Sequence, residues 1–180
     1  MATTQVKADN SDTIYTVKHA IDLRRRMDPP LSEHHIGNYL YVPVVAEPHI
    51  DDEDNYRCGV INQMRRTVKS VDSEYAKKLA NEADEHLKLM KEVVEMQGKK
   101  KVVTLIFTSW CRLPVHEIDF GWGKPEWLGT PSWPYQNLFV LCDTKEKGGI
   151  EIFAHMVKEE MAKLEKDDEL AAFASPLCQI

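Results

Sequence analysis

Apolar residues between positions 57 and 96 recur at 60, 64, 68, 71, 75, 79, 83, 87, 90 and 94. Steps of three or four throughout lay one stripe along one side of a helix. Ser70-Val-Asp-Ser-Glu-Tyr interrupts the run and offers Asp72 or Ser73 as an N-cap. The spacing therefore predicts two helices, about 57–69 and 73–96, the second closed by Gly98. Elsewhere the apolar runs are short and rich in β-branched and aromatic residues. Ile14 to Ile21, Tyr39 to Val45 and Val102 to Phe107 read as strands. Asn137 to Cys142 and Gly149 to His155 read as a hairpin whose turn is supplied by the glycines of Asp143-Thr-Lys-Glu-Lys-Gly-Gly. Met156 to Lys166 reads as a final amphipathic helix with Met156, Met161 and Leu164 inward. Strands mixed with helices, two of them joined as a hairpin, predict an α/β fold: two layers, with helices packed on a mixed sheet.

The stretch from Thr108 to Pro125 fits neither period. It reads Thr-Ser-Trp-Cys-Arg-Leu-Pro-Val-His-Glu-Ile-Asp-Phe-Gly-Trp-Gly-Lys-Pro. Pro114 ends regular pairing, and Gly121 and Gly123 permit backbone angles closed to other residues. The expectation is a rigid loop with Phe120 and Trp122 packed inward and the Asp119 carboxylate in need of a partner. Burying that carboxylate unpaired would cost several kcal/mol. Arg24, Arg25 and Arg26 are the clustered candidates, and in an extended segment 24 and 26 would share a face.

Composition narrows the function. A chain of 180 residues fits one domain, able to bury about 70% of its unfolded surface. Net charge of −6 and a pI near 5.6 argue against a nucleic-acid partner, whose footprint is a basic patch. Lys99 to Lys101 is a dense basic run, read either as a solvated turn or as a contact for an anionic cofactor. No apolar run approaches the ~20 residues of a membrane span, and the first residues lack a secretory core. A soluble cytoplasmic protein is expected, with residues 1–12 a disordered leader. Cys58, Cys111, Cys142 and Cys178 form no Cys-x-x-Cys pair, which argues for reduced thiols rather than zinc or disulfides. Residues 46–55 read as an acidic loop.

Seven consecutive residues, Asp-Phe-Gly-Trp-Gly-Lys-Pro from Asp119, come after Thr-Ser-Trp-Cys-Arg-Leu-Pro at the expected distance. Together they resemble the signature of the C-terminal half of the BAHD acyltransferases, plant enzymes that use acyl-CoA donors. A second block, Asp22-Leu-Arg-Arg-Arg-Met-Asp-Pro-Pro-Leu followed by Gly37-Asn38, resembles another family motif. The resemblance covers residues 14–166, well under half of a full-length enzyme. It implies an incomplete chloramphenicol-acetyltransferase-like C-terminal domain over 13–166, leaving 167–180 as a frayed tail. It also implies an ion pair between Asp119 and Arg24, so that Asp119, Phe120, Gly121, Trp122, Gly123 and Arg24 serve shape. Asn38, Thr108, Ser109 and Trp110 resemble positions near the channel where acceptor and CoA meet. For Trp110, core packing and channel lining are both open.

The family's general base is the His of His-x-x-x-Asp, which would take a proton from the acceptor. Four residues after His19, His34, His35, His49, His86, His116 and His155 stand Leu23, Asn38, Tyr39, Glu53, Met90, Phe120 and Glu159. None is Asp, so no catalytic residue is assigned in this chain. No histidine pair has metal-ligand spacing, so no metal site is assigned. His34-His35 reads as a surface turn, and His19, in an apolar strand, as a hydrogen-bonded core residue. No Gly-x-Ser-x-Gly elbow occurs, and nothing places a base beside Cys111.

Two functions stand as expectations. The first is the C-terminal part of an enzyme that moves an acyl group from acyl-CoA to a hydroxyl or amine of a plant specialised metabolite. Acyl-CoA would be co-substrate, no cofactor would be bound, and the chain alone would be inactive. The second is a non-catalytic truncated relative that binds a BAHD half or an intact enzyme.

Overall fold

The computed structural model describes residues 13–32, 34–46, 56–81, 101–146 and 148–176. The predicted leader, most of the acidic loop, the second helix beyond Asn81, Gly98, Cys178 and His49 lie outside the described residues. The chain divides into two compact units, one of residues 12–108 and one that runs from Ser109.

The first unit is built on strand β1 (Thr13–His19). Strand β5 (Lys101–Ser109) runs parallel to it, from Thr13↔Lys101 to His19↔Phe107. Strand β4 (Val44–Ala46) lies antiparallel on its other side, with a register shift between Val17 and Lys18. The sheet is therefore mixed, as the alternation of strands and helices predicts. Thr16 and Val17 are both buried although successive side chains point to opposite faces, so β1 is covered on both. The buried Thr16 hydroxyl is satisfied by its register partner, Thr104, at 3.0 Å.

Helix α1 (Tyr56–Ser70) supplies one cover. Val60, Met64 and Val68, spaced as the sequence predicts, pack with Phe107 against Val17. Val71 continues the stripe into a second cluster with Ile21, Leu23, Met27, Tyr39, Tyr41 and Tyr75. Helix α2 (Ser73–Asn81) starts where Asp72 accepts a 2.9 Å bond from the Tyr75 amide, so Asp72 rather than Ser73 is the cap.

Two of the predicted strands are shorter than their apolar runs. Ile14 to Ile21 breaks at Ala20, whose amide bonds Phe107 O at 2.9 Å before Ile21–Asp22 (β2) turns to pair with Leu40–Tyr41 (β3). Tyr39 to Val45 is cut at Pro43, which has no amide to donate to a ladder. Arg24–Arg26 forms a 3-10 turn instead of the extended segment expected.

The second unit contains the predicted hairpin. Strand β6 (Leu138–Asp143) pairs antiparallel with β7 (Ile150–His155) over six residues, from Leu138↔His155 to Asp143↔Ile150. Leu138, Phe139, Val140 and Cys142 are buried, so β6 is covered on both faces. A helix over Lys158–Leu164 comes next, with Met156, Met161 and Leu164 partly buried. The tail is not frayed where the family resemblance put its start. The Asp167 carboxylate, 6% exposed, caps a short helix (Asp168–Ala171) by accepting from the Leu170 amide at 2.9 Å.

Candidate functional site

The two sequence blocks are held by different devices. In the first unit, Arg24 spreads its guanidinium over the loop that carries Gly37-Asn38. Its Nη2 donates to Gly37 O at 2.6 Å, Nε and Nη2 both reach His35 O at 3.3 Å, and Nη1 meets Asp22 Oδ1 at 3.1 Å. The guanidinium also lies 5.0 Å from the centre of the Tyr39 ring. Asn38, a predicted channel residue, is exposed on the loop so fixed. Arg26 does other work: its Nη1 donates to Val68 O at 2.7 Å and Val71 O at 2.6 Å, closing the C-terminal end of α1.

In the second unit, Ser109 Oγ accepts from the Cys111 amide at 3.3 Å, and the Trp110 amide bonds Leu141 O at 2.7 Å. Asp143, at the end of β6, anchors the chain beyond Cys111. Its carboxylate accepts from the Arg112 amide at 2.6 Å, and its carbonyl lies 3.0 Å from His116 Nε2. A carbonyl only accepts, so His116 carries its proton on Nε2 in this contact. Thr108 and Trp110 are half-buried and Ser109 is exposed at the end of β5.

The loop after His116 corrects the inward-packed reading. Asp119 Oδ1 accepts from the Gly121 amide at 2.7 Å and the Gly123 amide at 3.0 Å. Gly121 and Gly123 take φ of 105° and 110°, which only glycine adopts at low cost. Phe120 and Trp122 are 73% and 83% exposed and stack on each other at 5.7 Å. Asp119 is itself exposed, and its two glycine amides hold its carboxyl below the usual carboxylate range. The expected burial of Asp119 is therefore not found. Asp119 and Arg24 belong to different units, and each has local partners.

His19 also departs from expectation. It is half-buried, its Nδ1 has no hydrogen-bond partner among the described residues, and burial lowers its pKa. Sequence reasoning missed two further pairs. Tyr41 and Tyr75 join hydroxyls at 2.7 Å, and Thr130 Oγ1 lies 2.8 Å from His155 Nε2. Nothing in the spacing signals either, since their members are 34 and 25 residues apart. Among the described residues no group of His, Cys, Asp and Glu could hold a metal ion. No described helix is long and apolar enough to cross a membrane.

The mixed sheet with its few helices is part of an acyltransferase-type domain. The profile of the Transferase family matches residues 1–171, and the chain belongs to that family, the BAHD acyltransferases. It is 36% identical over 165 residues to limonoid 21-O-acetyltransferase of Melia azedarach, which covers 92% of this chain and 37% of the relative. It is 34% identical over 153 residues to vinorine synthase of Rauvolfia serpentina, covering 83% of this chain and 33% of that enzyme. The crystal structure of vinorine synthase superposes with a TM-score of 0.64 at 28% identity, covering 89% of this chain and 36% of the other. TRI101 of F. sporotrichioides, solved with coenzyme A and T-2, gives 0.54 at 20% identity, covering 92% and 42%, a likeness of fold alone. The chain spans just over a third of the length of the curated relatives it matches. The fold is the chloramphenicol-acetyltransferase-like fold of this family, as part of a domain.

Proposed function

We propose that this chain is the C-terminal part of an acyl-CoA-dependent acyltransferase that acts on a hydroxyl or amine of a plant specialised metabolite. Its family membership carries the reading, together with relatives named for O-acetyl and N-malonyl transfer. The co-substrate is acyl-CoA, and the acceptor is a small molecule. Asn38, Thr108, Ser109 and Trp110 are the residues of this chain assigned to the channel edge. The composition, with 29% charged residues, fits a cytoplasmic enzyme.

The sequence holds no His-x-x-x-Asp, so the general base comes from an N-terminal half. In the reaction the acceptor oxygen or nitrogen adds to the thioester carbonyl while that His takes its proton. The C–S bond then breaks and CoA leaves as the thiol. Without the base the rate falls ~10²–10⁴-fold. Without the second wall, the positioning that makes transfer effectively unimolecular is lost as well.

The experiment is reconstitution. The N-terminal half of the Melia relative is titrated into this chain with acetyl-CoA and a hydroxylated acceptor, and acetylated product is measured. Saturable product formation, abolished when the motif His of the added half becomes Ala, supports the reading. Tight association without product favours the non-catalytic partner.

A further inference from the structure

We infer that Cys111 and Cys142 are a redox-sensitive pair, which a peroxide joins as a disulfide that staples the start of the signature loop to β6. Both are free thiols, Cys111 half-buried and Cys142 with none of its surface exposed. They lie 31 positions apart in sequence, but hydrogen bonds bracket them in space. Immediately before the pair, the Trp110 amide bonds Leu141 O at 2.7 Å. Immediately after it, the Arg112 amide bonds the Asp143 carboxylate at 2.6 Å. Backbones bonded to each other run about 4.8 Å apart. A disulfide needs its Cα atoms about 4.4–6.8 Å apart, so the bracket brings this pair into reach.

Electrostatics agrees with that spacing. Burial pushes the Cys142 thiol up, and Cys111 adds to the effect ahead of Glu151 and Asp143. Glu151 stands directly across the hairpin from Cys142. Since charge interactions weaken with distance, a larger effect from Cys111 means that the two sulfurs are close neighbours. The same environment sets the order of events. Cys142 stays protonated and out of solvent, so Cys111 meets the oxidant first. Its sulfur attacks the O–O bond of the peroxide, giving a sulfenic acid and one water. The Cys142 sulfur then attacks the Cys111 sulfur, the S–O bond breaks, and the hydroxyl leaves with the Cys142 proton as a second water. Each sulfur gives up one electron and the peroxide takes both. The resting pair is reduced, and the inference is independent of the proposed acyl transfer.

Peptide mapping of the folded full chain tests it. The protein is treated with hydrogen peroxide, its remaining thiols are alkylated in denaturant, and it is digested with trypsin without reduction. A cross-linked species joining the peptide that ends at Arg112 to the one that holds Cys142 should appear, lighter than its parts by two hydrogens, and vanish on reduction. The whole chain should stay at 20.7 kDa on a non-reducing gel. Hydrogen exchange in residues 110–116 should slow several-fold on oxidation and recover on reduction. Cys111→Ser should abolish the link and leave Cys142 a free thiol, while the double variant Cys58→Ser, Cys178→Ser should form it as the wild type does. Cys142 still a free thiol after Cys111 has gone to the sulfinic acid overturns the inference. So does a link to Cys58 or Cys178 instead, a link between two chains, a link formed only in urea, or unchanged exchange in 110–116.

Discussion

Arg24 Nη2 donates to the carbonyl of Gly37 at 2.6 Å, so the basic motif and the Gly-Asn motif are two ends of one contact. The same guanidinium holds His35 O and Asp22, and the Arg24 side chain is only 20% exposed. Arg24→Ala should cost about 1.5–3 kcal/mol, the range for hydrogen bonds to a charged group. Arg24→Lys should lose most of that, because a point charge cannot span both carbonyls as the planar fork does. Urea unfolding of the three proteins measures this. Wild-type stability in Arg24→Ala would contradict it.

Arg26 should matter through a different element. Its two bonds to Val68 O and Val71 O satisfy carbonyls that the end of α1 leaves open. Arg26→Gln should destabilise the chain by about 1–3 kcal/mol. Hydrogen exchange should speed up in the last turn of α1 before it does so elsewhere. Unchanged exchange there would show that the cap is dispensable.

Asp119 predicts a local effect only. Its pKa is lowered by bonds from the Gly121 and Gly123 amides, so the stabilisation is present above the ordinary carboxylate pKa and is lost as pH falls through the depressed folded value. Asp119→Ala should free both amides and raise their exchange rates, with global stability little changed. Asp119→Asn, which keeps an acceptor oxygen, should fall between. A large global loss in Asp119→Ala would instead mean that the carboxylate is paired within a buried contact.

How far the sequence reached differs from one part of the chain to another. The stripe at 60, 64, 68, 71 and 75 was legible because helical period alone sets which residues face β1, and the clusters on Val17 and Ile21 contain those residues. The hairpin was legible for a similar reason, period two and a glycine turn. The breaks at Ala20 and Pro43 were hidden inside apolar runs, where a change of partner strand leaves no mark on composition. In the signature loop the glycine positions foretell the backbone, but residue type alone makes Phe120 and Trp122 look like core. The amides of Gly121 and Gly123 bond Asp119, and Phe120 and Trp122 stack on each other in the open. Arg26 was visible only as one of three basic residues, because its carbonyl acceptors lie 42 and 45 positions away and carry no side-chain signal.

His19 links stability to acid. Burial lowers its pKa from the ordinary 6.5, so the unfolded chain binds a proton more readily than the folded one. Its contribution is full above 6.5 and is lost progressively as pH falls from there toward the depressed folded value. His19→Gln, which cannot titrate, should flatten the stability curve across that window. Thermal melts at a series of pH values measure the slope, and identical slopes in the two proteins would rule His19 out as its source.

In the proposed division of labour this chain contributes a channel wall and no general base. Release of CoA thiol from acetyl-CoA by residues 1–180 tests that division at its root. It is measured with and without a hydroxylated acceptor, and then with a family N-terminal half added. Background release is expected from the chain alone, and acceptor-dependent release once the half carrying His-x-x-x-Asp is present. Robust turnover by the isolated chain that survives replacement of each of its seven histidines in turn would contradict it.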